Sequence, residues 1–190
     1  SGDIGGGYTG SSTTNITISG GTIVEAVGGN TGDGIGSGSG NRSNSTTVTI
    51  NGGRIEKAQG GKGYSIFDGG DGIHSDDVLT ISGTATIVSA IGGSGGSGIY
   101  SGGQLFISDN ATITNAKGGE GQTSGGYGIR GNVALTIEGG KIEQATGGDS
   151  KNDSDNGGSG ISSGSMLTIS DSATIGNAQG GKGKGKSGGS

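Results

Sequence analysis

Apolar and polar residues alternate along short stretches of this chain, and the stretches repeat. Ile16-Thr17-Ile18, Val48-Thr49-Ile50, Leu79-Thr80-Ile81, Leu105-Phe106-Ile107, Leu135-Thr136-Ile137 and Leu167-Thr168-Ile169 each set one outward residue between two apolar ones. That period of two is the pattern of a β-strand. A further isoleucine follows shortly after each, at Ile23, Ile55, Ile87, Ile113, Ile142 and Ile175, and then an alanine, at Ala26, Ala58, Ala90, Ala116, Ala145 and Ala178. A Gly-Gly pair comes next, beginning at Gly28, Gly60, Gly92, Gly118, Gly147 and Gly180. A Gly-Ile pair ends the unit at Ile35, Ile73, Ile99, Ile129 and Ile161, with Asp3-Ile4 as its first counterpart.

Five columns held in step over six repeats exclude a disordered linker, and a period of about 31 residues indicates a solenoid. No apolar stripe recurs at helical spacing, so the helical repeats fail. The pattern predicts an all-β fold: a right-handed parallel β-helix (β-solenoid) of six coils of about 31 residues, with three short strands per coil. Coils stack at about 4.8 Å, isoleucine on isoleucine. Tight turns at Gly-Gly, Asp-Asn or Asp-Ser separate the second and third strands, at positions that need φ > 0. Residues 1–190 are expected to form a single domain with no helical cap at either end, as a segment of a longer array or a protomer that stacks end to end.

Composition narrows the picture. There are 52 glycines, no proline, cysteine or tryptophan, and 25% hydrophobic residues. Collagen, disulfide scaffolds and cysteine zinc sites are excluded, and no apolar run is long enough to cross a bilayer. A thin solenoid accounts for the small apolar share, because each coil buries a single row of side chains. The glycine-rich runs read as turns, and the loops 36–46, 120–126 and 149–158 are expected to be mobile and variable. The net charge of −5 argues against nucleic-acid binding, and Lys182, Lys184 and Lys186 read as a solvated tail. The absence of cysteine suits an exported bacterial protein.

The chain has one histidine and no spacing that suggests a catalytic triad or a phosphate loop. Its arginines are Arg42 in a loop, Arg54 in a column otherwise held mostly by threonine, and Arg130; none makes a convincing lyase base. A non-enzymatic role is expected. The densest carboxylate cluster is Asp68, Asp71, Asp76 and Asp77. Asp33 and Asp71 share a column just before Gly-Ile, and two carboxylates so close repel unless a cation, hydrogen bonds or water intervenes. Asp33, Asp71, Asp76 and Asp77 are therefore candidate ligands for Ca2+.

The residue after Gly-Ile faces outward, and that column reads Gly36, His74, Tyr100, Arg130 and Ser162. A ring for stacking beside polar donors is what a sugar site needs. His74, Tyr100 and Arg130, with Phe106 in the same coil as Tyr100, are the candidate carbohydrate-binding residues. A rival surface is the Thr17, Thr49, Thr80, Thr136, Thr168 column, which has the style of an ice-binding face but is interrupted by Phe106 and Glu138.

The run from Asp71 to Ala90, Asp-Gly-Ile-His-Ser-Asp-Asp-Val-Leu-Thr-Ile-Ser-Gly-Thr-Ala-Thr-Ile-Val-Ser-Ala, resembles the repeat of bacterial carbohydrate-binding β-helix proteins. That family is similar to pectate lyases in fold but is non-catalytic. The resemblance implies extracellular polysaccharide binding, with Asp71, Asp76 and Asp77 linked to calcium. In the other repeats Ser97, Tyr127 and Ser159 replace the aspartate, and these coils look more like the glycine-rich repeats of large bacterial surface adhesins. The expected function is thus a structural or adhesive module of the cell surface, a stalk or filament unit that also binds polysaccharide. The alternative is a dedicated pectin-like polysaccharide-binding protein.

Overall fold

The structure, a computed structural model, describes residues 4–6, 13–37, 45–64, 68–152 and 156–183. Arg42, Lys184 and Lys186, and most of the loop 36–46, lie outside them. The described residues contain β-strands and no helix, and every strand pairing is parallel. The chain is a β-solenoid.

One sheet has six short strands in chain order: Ile4–Gly6, Ile35–Ser37, Ile73–Ser75, Ile99–Ser101, Ile129–Gly131 and Ile161–Ser163. Their first residues pair from coil to coil, so the Gly-Ile isoleucines form one ladder. The second ladder runs Ile18, Ile50, Ile81, Ile107, Ile137, Ile169. The third runs Ile23, Ile55, Ile87, Ile113, Ile142, Ile175, and the alanines pair likewise. These ladders are the core: Ile35, Ile55, Ile73, Ile87, Ile99, Ile113 and Ile129 are fully buried. In the last coil Leu167 and Ile169 are 46% and 51% exposed, whereas Leu135 and Ile137 beneath them are at 0%; among the described residues no further rung lies over them.

Three separate strands hold in four of the six coils. In the first two coils the break falls after the third-ladder isoleucine, Thr13–Ile23 being followed by Ala26–Val27 and Ser45–Ile55 by Ala58–Gln59. In Gln104–Lys117 and Ala134–Thr146 the second and third strands are one bent strand. In the remaining two coils they separate as Val78–Ile81 and Thr86–Ile91, and as Met166–Ser170 and Thr174–Gln179. The reason is local. Ala85 N–H bonds to Ser82 O, and Ala173 N–H to Ser170 O, each at 3.2 Å, closing a turn that interrupts the ladder. At the matching corner Asn110 N–H instead reaches Gly83 O in the coil before it, and the strand continues. The corners need left-handed backbone, as the residue types indicate: Gly21, Gly53, Gly83, Gly139 and Gly140 have positive φ, and so do Asp109 (59°) and Asp171 (54°). Aspartate is among the few side chains that tolerate this region. Asp109 Oδ2 also accepts the Gly83 N–H at 2.9 Å, tying two corners together.

The glycine-rich runs are more than turns. After the third strand the chain leaves the stack and returns through a neck where two backbone segments touch. A Cβ on Gly60 would lie 1.9 Å from Gly70 O, and one on Gly118 2.1 Å from Gly126 O. Successive necks touch as well: a Cβ on Gly93 would lie 1.7 Å from Gly61 O, and one on Gly119 1.6 Å from Gly93 O. Only glycine permits this approach. A zigzag of backbone hydrogen bonds follows, alternating within and between coils: Gly61 to Gly32, Gly70 to Gly61, Gly93 to Gly70, Gly96 to Gly93, Gly119 to Gly96, Gly126 to Gly119, Gly148 to Gly126, Gly158 to Gly148 and Gly181 to Gly158. Part of 120–126 and of 149–158, expected as loose loop, belongs to this brace, and Gly121 bridges Ser150. Residues 153–155 lie outside the described residues; in the described parts the backbone itself packs and bonds, a contribution that side-chain burial does not count.

Candidate functional site

The outward column of the six-stranded sheet is in register as expected: His74 pairs with Tyr100, Tyr100 with Arg130, and Arg130 with Ser162. Strand alternation turns these side chains out because Ile73, Ile99 and Ile129, and the serines Ser75 and Ser101, turn in. Below His74 the column holds Gly36, at φ 153°, where a Cβ would stand 2.9 Å from the His74 Cβ and 2.6 Å from its carbonyl oxygen. Glycine there makes room for His74.

His74 gathers the carboxylates. Its Nδ1 lies 2.6 Å from Asp71 Oδ2 and 3.8 Å from Asp33 Oδ2, and its Nε2 lies 3.2 Å from Asp76 Oδ1. Asp33 and Asp71 do share a column. Asp33 Oδ1 accepts the Asp71 amide N–H at 2.7 Å, and Asp71 Oδ1 accepts that of Ser97, so each carboxylate ties its coil to the next. Asp77 stands apart and accepts the Ser45 hydroxyl. Ser75 donates to the Thr46 and Val78 carbonyls, and Ser101 to those of Asp77 and Gln104, which fixes the bend carrying Asp76 and Asp77.

Burial pushes the Asp33 carboxyl up to about 7, opposed by the His74 charge and reinforced by Asp71. Burial alone would lower the His74 imidazole, but hydrogen bonds to Asp71 and Asp76 and the charges of Asp33 and Asp71 overcome it and hold it well above the usual imidazole range. With both ring nitrogens facing carboxylates, the surroundings favour the imidazolium form of His74, which sets positive charge among the stacked aspartates.

Beside this cluster lies a groove of about 410 Å³ lined by Asp71, His74, Asp76, Asp77, Tyr100, Gly102 and Asn132. The Tyr100 ring packs 5.2 Å from the His74 ring, tilted by 32°. Asn132 is a lining residue that the column reasoning missed; its place two residues beyond Arg130 was the available signal. Arg130 does not line the groove. Its guanidinium lies 4.3 Å over the Tyr127 ring and donates to Asn132 Oδ1 at 2.9 Å. Phe106 is on the neighbouring sheet between Thr80 and Thr136, away from the groove, where it interrupts the threonine ladder. The structure thus brings together His74, Tyr100, Asp71, Asp76 and Asp77, and leaves Arg130 at the margin and Phe106 outside.

Asp33, Asp71 and His74 are a geometric set for a metal, with one ligand atom from each within 4.8 Å of the others. Their chemistry does not fit calcium, which takes six to eight oxygens. Asp71 has one oxygen on an amide and the other on His74, Asp33 is buried with one oxygen on an amide, and the positive charge is already present. Comparison with known proteins returns no match: no family model, no curated protein and no solved structure matches this chain.

Proposed function

We propose that this chain is a stiff, non-catalytic module of an extracellular or bacterial cell-surface protein, and that its solenoid presents a polysaccharide-binding groove on one face. The observation that carries the reading is the Tyr100 ring, held against His74 at 5.2 Å over a groove lined by polar side chains. Sugar rings offer an apolar face to an aromatic ring and hydroxyls to the polar groups around it. The glycine brace and the in-register ladders support the structural half of the reading, since a rod of bonded backbone resists bending. A dedicated polysaccharide-binding protein is the same site without the stalk role. End-to-end stacking belongs to the proposal, and rods in electron microscopy are its readout.

The test is retention on immobilised polysaccharides. Tyr100→Ala is expected to abolish retention, while Thr136→Ala on the neighbouring sheet leaves it intact. Equal retention of both variants and the parent overturns the groove as the site.

A further inference from the structure

The lining of the groove decides what kind of glycan it takes. Three carboxylates, Asp71, Asp76 and Asp77, face it with one cation, His74. His74 has no N–H to offer a ligand, because Nδ1 is on Asp71 and Nε2 on Asp76. Arg130, the nearest arginine in the column, is turned onto Tyr127 and Asn132. A uronate carboxylate entering here meets acceptors of its own charge and no free cationic donor among the lining residues, only the neutral Tyr100 hydroxyl and Asn132 amide. Calcium is the usual bridge between two sets of carboxylates, and the cluster does not offer it an open oxygen shell. A hydroxyl-rich sugar meets the opposite situation: its O–H groups donate to ionised acceptors, the stronger class of hydrogen bond, and its ring face lies on Tyr100.

We infer that the groove selects non-acidic polysaccharide, with sugar hydroxyls donating to the exposed Asp77 carboxylate against the Tyr100 ring, and that it does so without a bridging metal ion. The inference rests on the glycan-binding reading above and names its ligand class, against the pectin-like ligand that the sequence suggested.

The experiment compares retention of the whole chain on galactomannan, a neutral polymer, and on polygalacturonate, an acidic one, each with and without EDTA. Retention on galactomannan that EDTA does not change, with at least tenfold weaker retention on polygalacturonate, is the expected result. Asp77→Asn keeps an acceptor for Ser45 while removing a charge, and is expected to narrow that preference; its circular dichroism melt checks that it folds. Retention on polygalacturonate that EDTA removes overturns the inference and leaves the glycan-binding reading standing. Galactomannan retention that EDTA removes overturns metal independence, and therefore the inference. Retention on neither polymer, nor on any glycan of a broad array, overturns both.

Discussion

Asp33, in one coil, accepts the backbone N–H of Asp71 in the next at 2.7 Å, so the two residues that would repel most are also hydrogen-bonded across the rung. The arrangement holds because Asp33 is buried and takes up its proton readily, and because His74 sits between the two side chains. It gives the stability of the fold an unusual pH dependence.

Asp33 binds its proton more tightly folded than unfolded, from the ordinary 3.8 up to about 7. Its contribution is therefore greatest at low pH and is lost as pH rises across that window. His74 is also raised, so its contribution is full below 6.5 and is lost as pH climbs through its folded value. Both signs agree: melting temperature falls from acid to alkaline pH. Asp33→Asn should flatten the portion between 3.8 and about 7. Circular dichroism melts across pH check this, and a melting temperature that rises over that window contradicts it.

The carboxylate cluster carries its own cation. Melting in EDTA should therefore match melting in added Ca2+, within the error of the scan. His74→Gln, which removes the charge and leaves Asp71 and Asp76 facing each other, should lower the melting temperature. A drop with EDTA in the parent chain would show that a metal holds the cluster.

The glycine brace predicts a sharp contrast between glycines. Gly93→Ala places a Cβ 1.7 Å from Gly61 O and must spread two coils, whereas Gly20→Ala meets nothing within 4 Å. Overpacking costs about 1–3 kcal/mol or more, and an exposed substitution costs about 0.5 kcal/mol or less. Denaturant titration of the two variants should separate them; equal midpoints would mean that the necks are loose.

Asp109 lies at φ 59° with its Oδ2 on Gly83 N–H. Asp109→Ala loses the bond and keeps the strained backbone, while Asp109→Gly loses the bond and relieves the strain. Glycine should be the milder replacement here by about 0.5–1 kcal/mol, the reverse of the order in an ordinary strand. Urea midpoints of the two variants decide it.

Ile113→Ala in the middle of the stack should cost about 2–5 kcal/mol. Ile169→Ala, at 51% exposure, should cost far less. Similar costs at both would indicate a covered last rung.

The isoleucine ladders, the strand alternation, the left-handed corners and the outward column of His74, Tyr100 and Arg130 were legible in the chain. Each depends on a period of two along a strand or on the repeat from coil to coil, and a solenoid converts sequence period into spatial neighbourhood almost without remainder. The brace was not legible, because whether Gly60 and Gly70 touch depends on how a loop of irregular length closes, and glycine's share of the contact is backbone, which leaves no pattern of side chains. The same limit applied to Arg130 and Phe106. Their columns were correct, but the turn of Arg130 toward Tyr127, and the bend that carries Phe106 onto another face, arise from contacts between residues that the repeat does not relate. His74 as the cation among the aspartates is of this kind too: one residue in one coil, outside any repeat, given its role by the Gly36 beneath it and the bend that brings Asp76 to its far side.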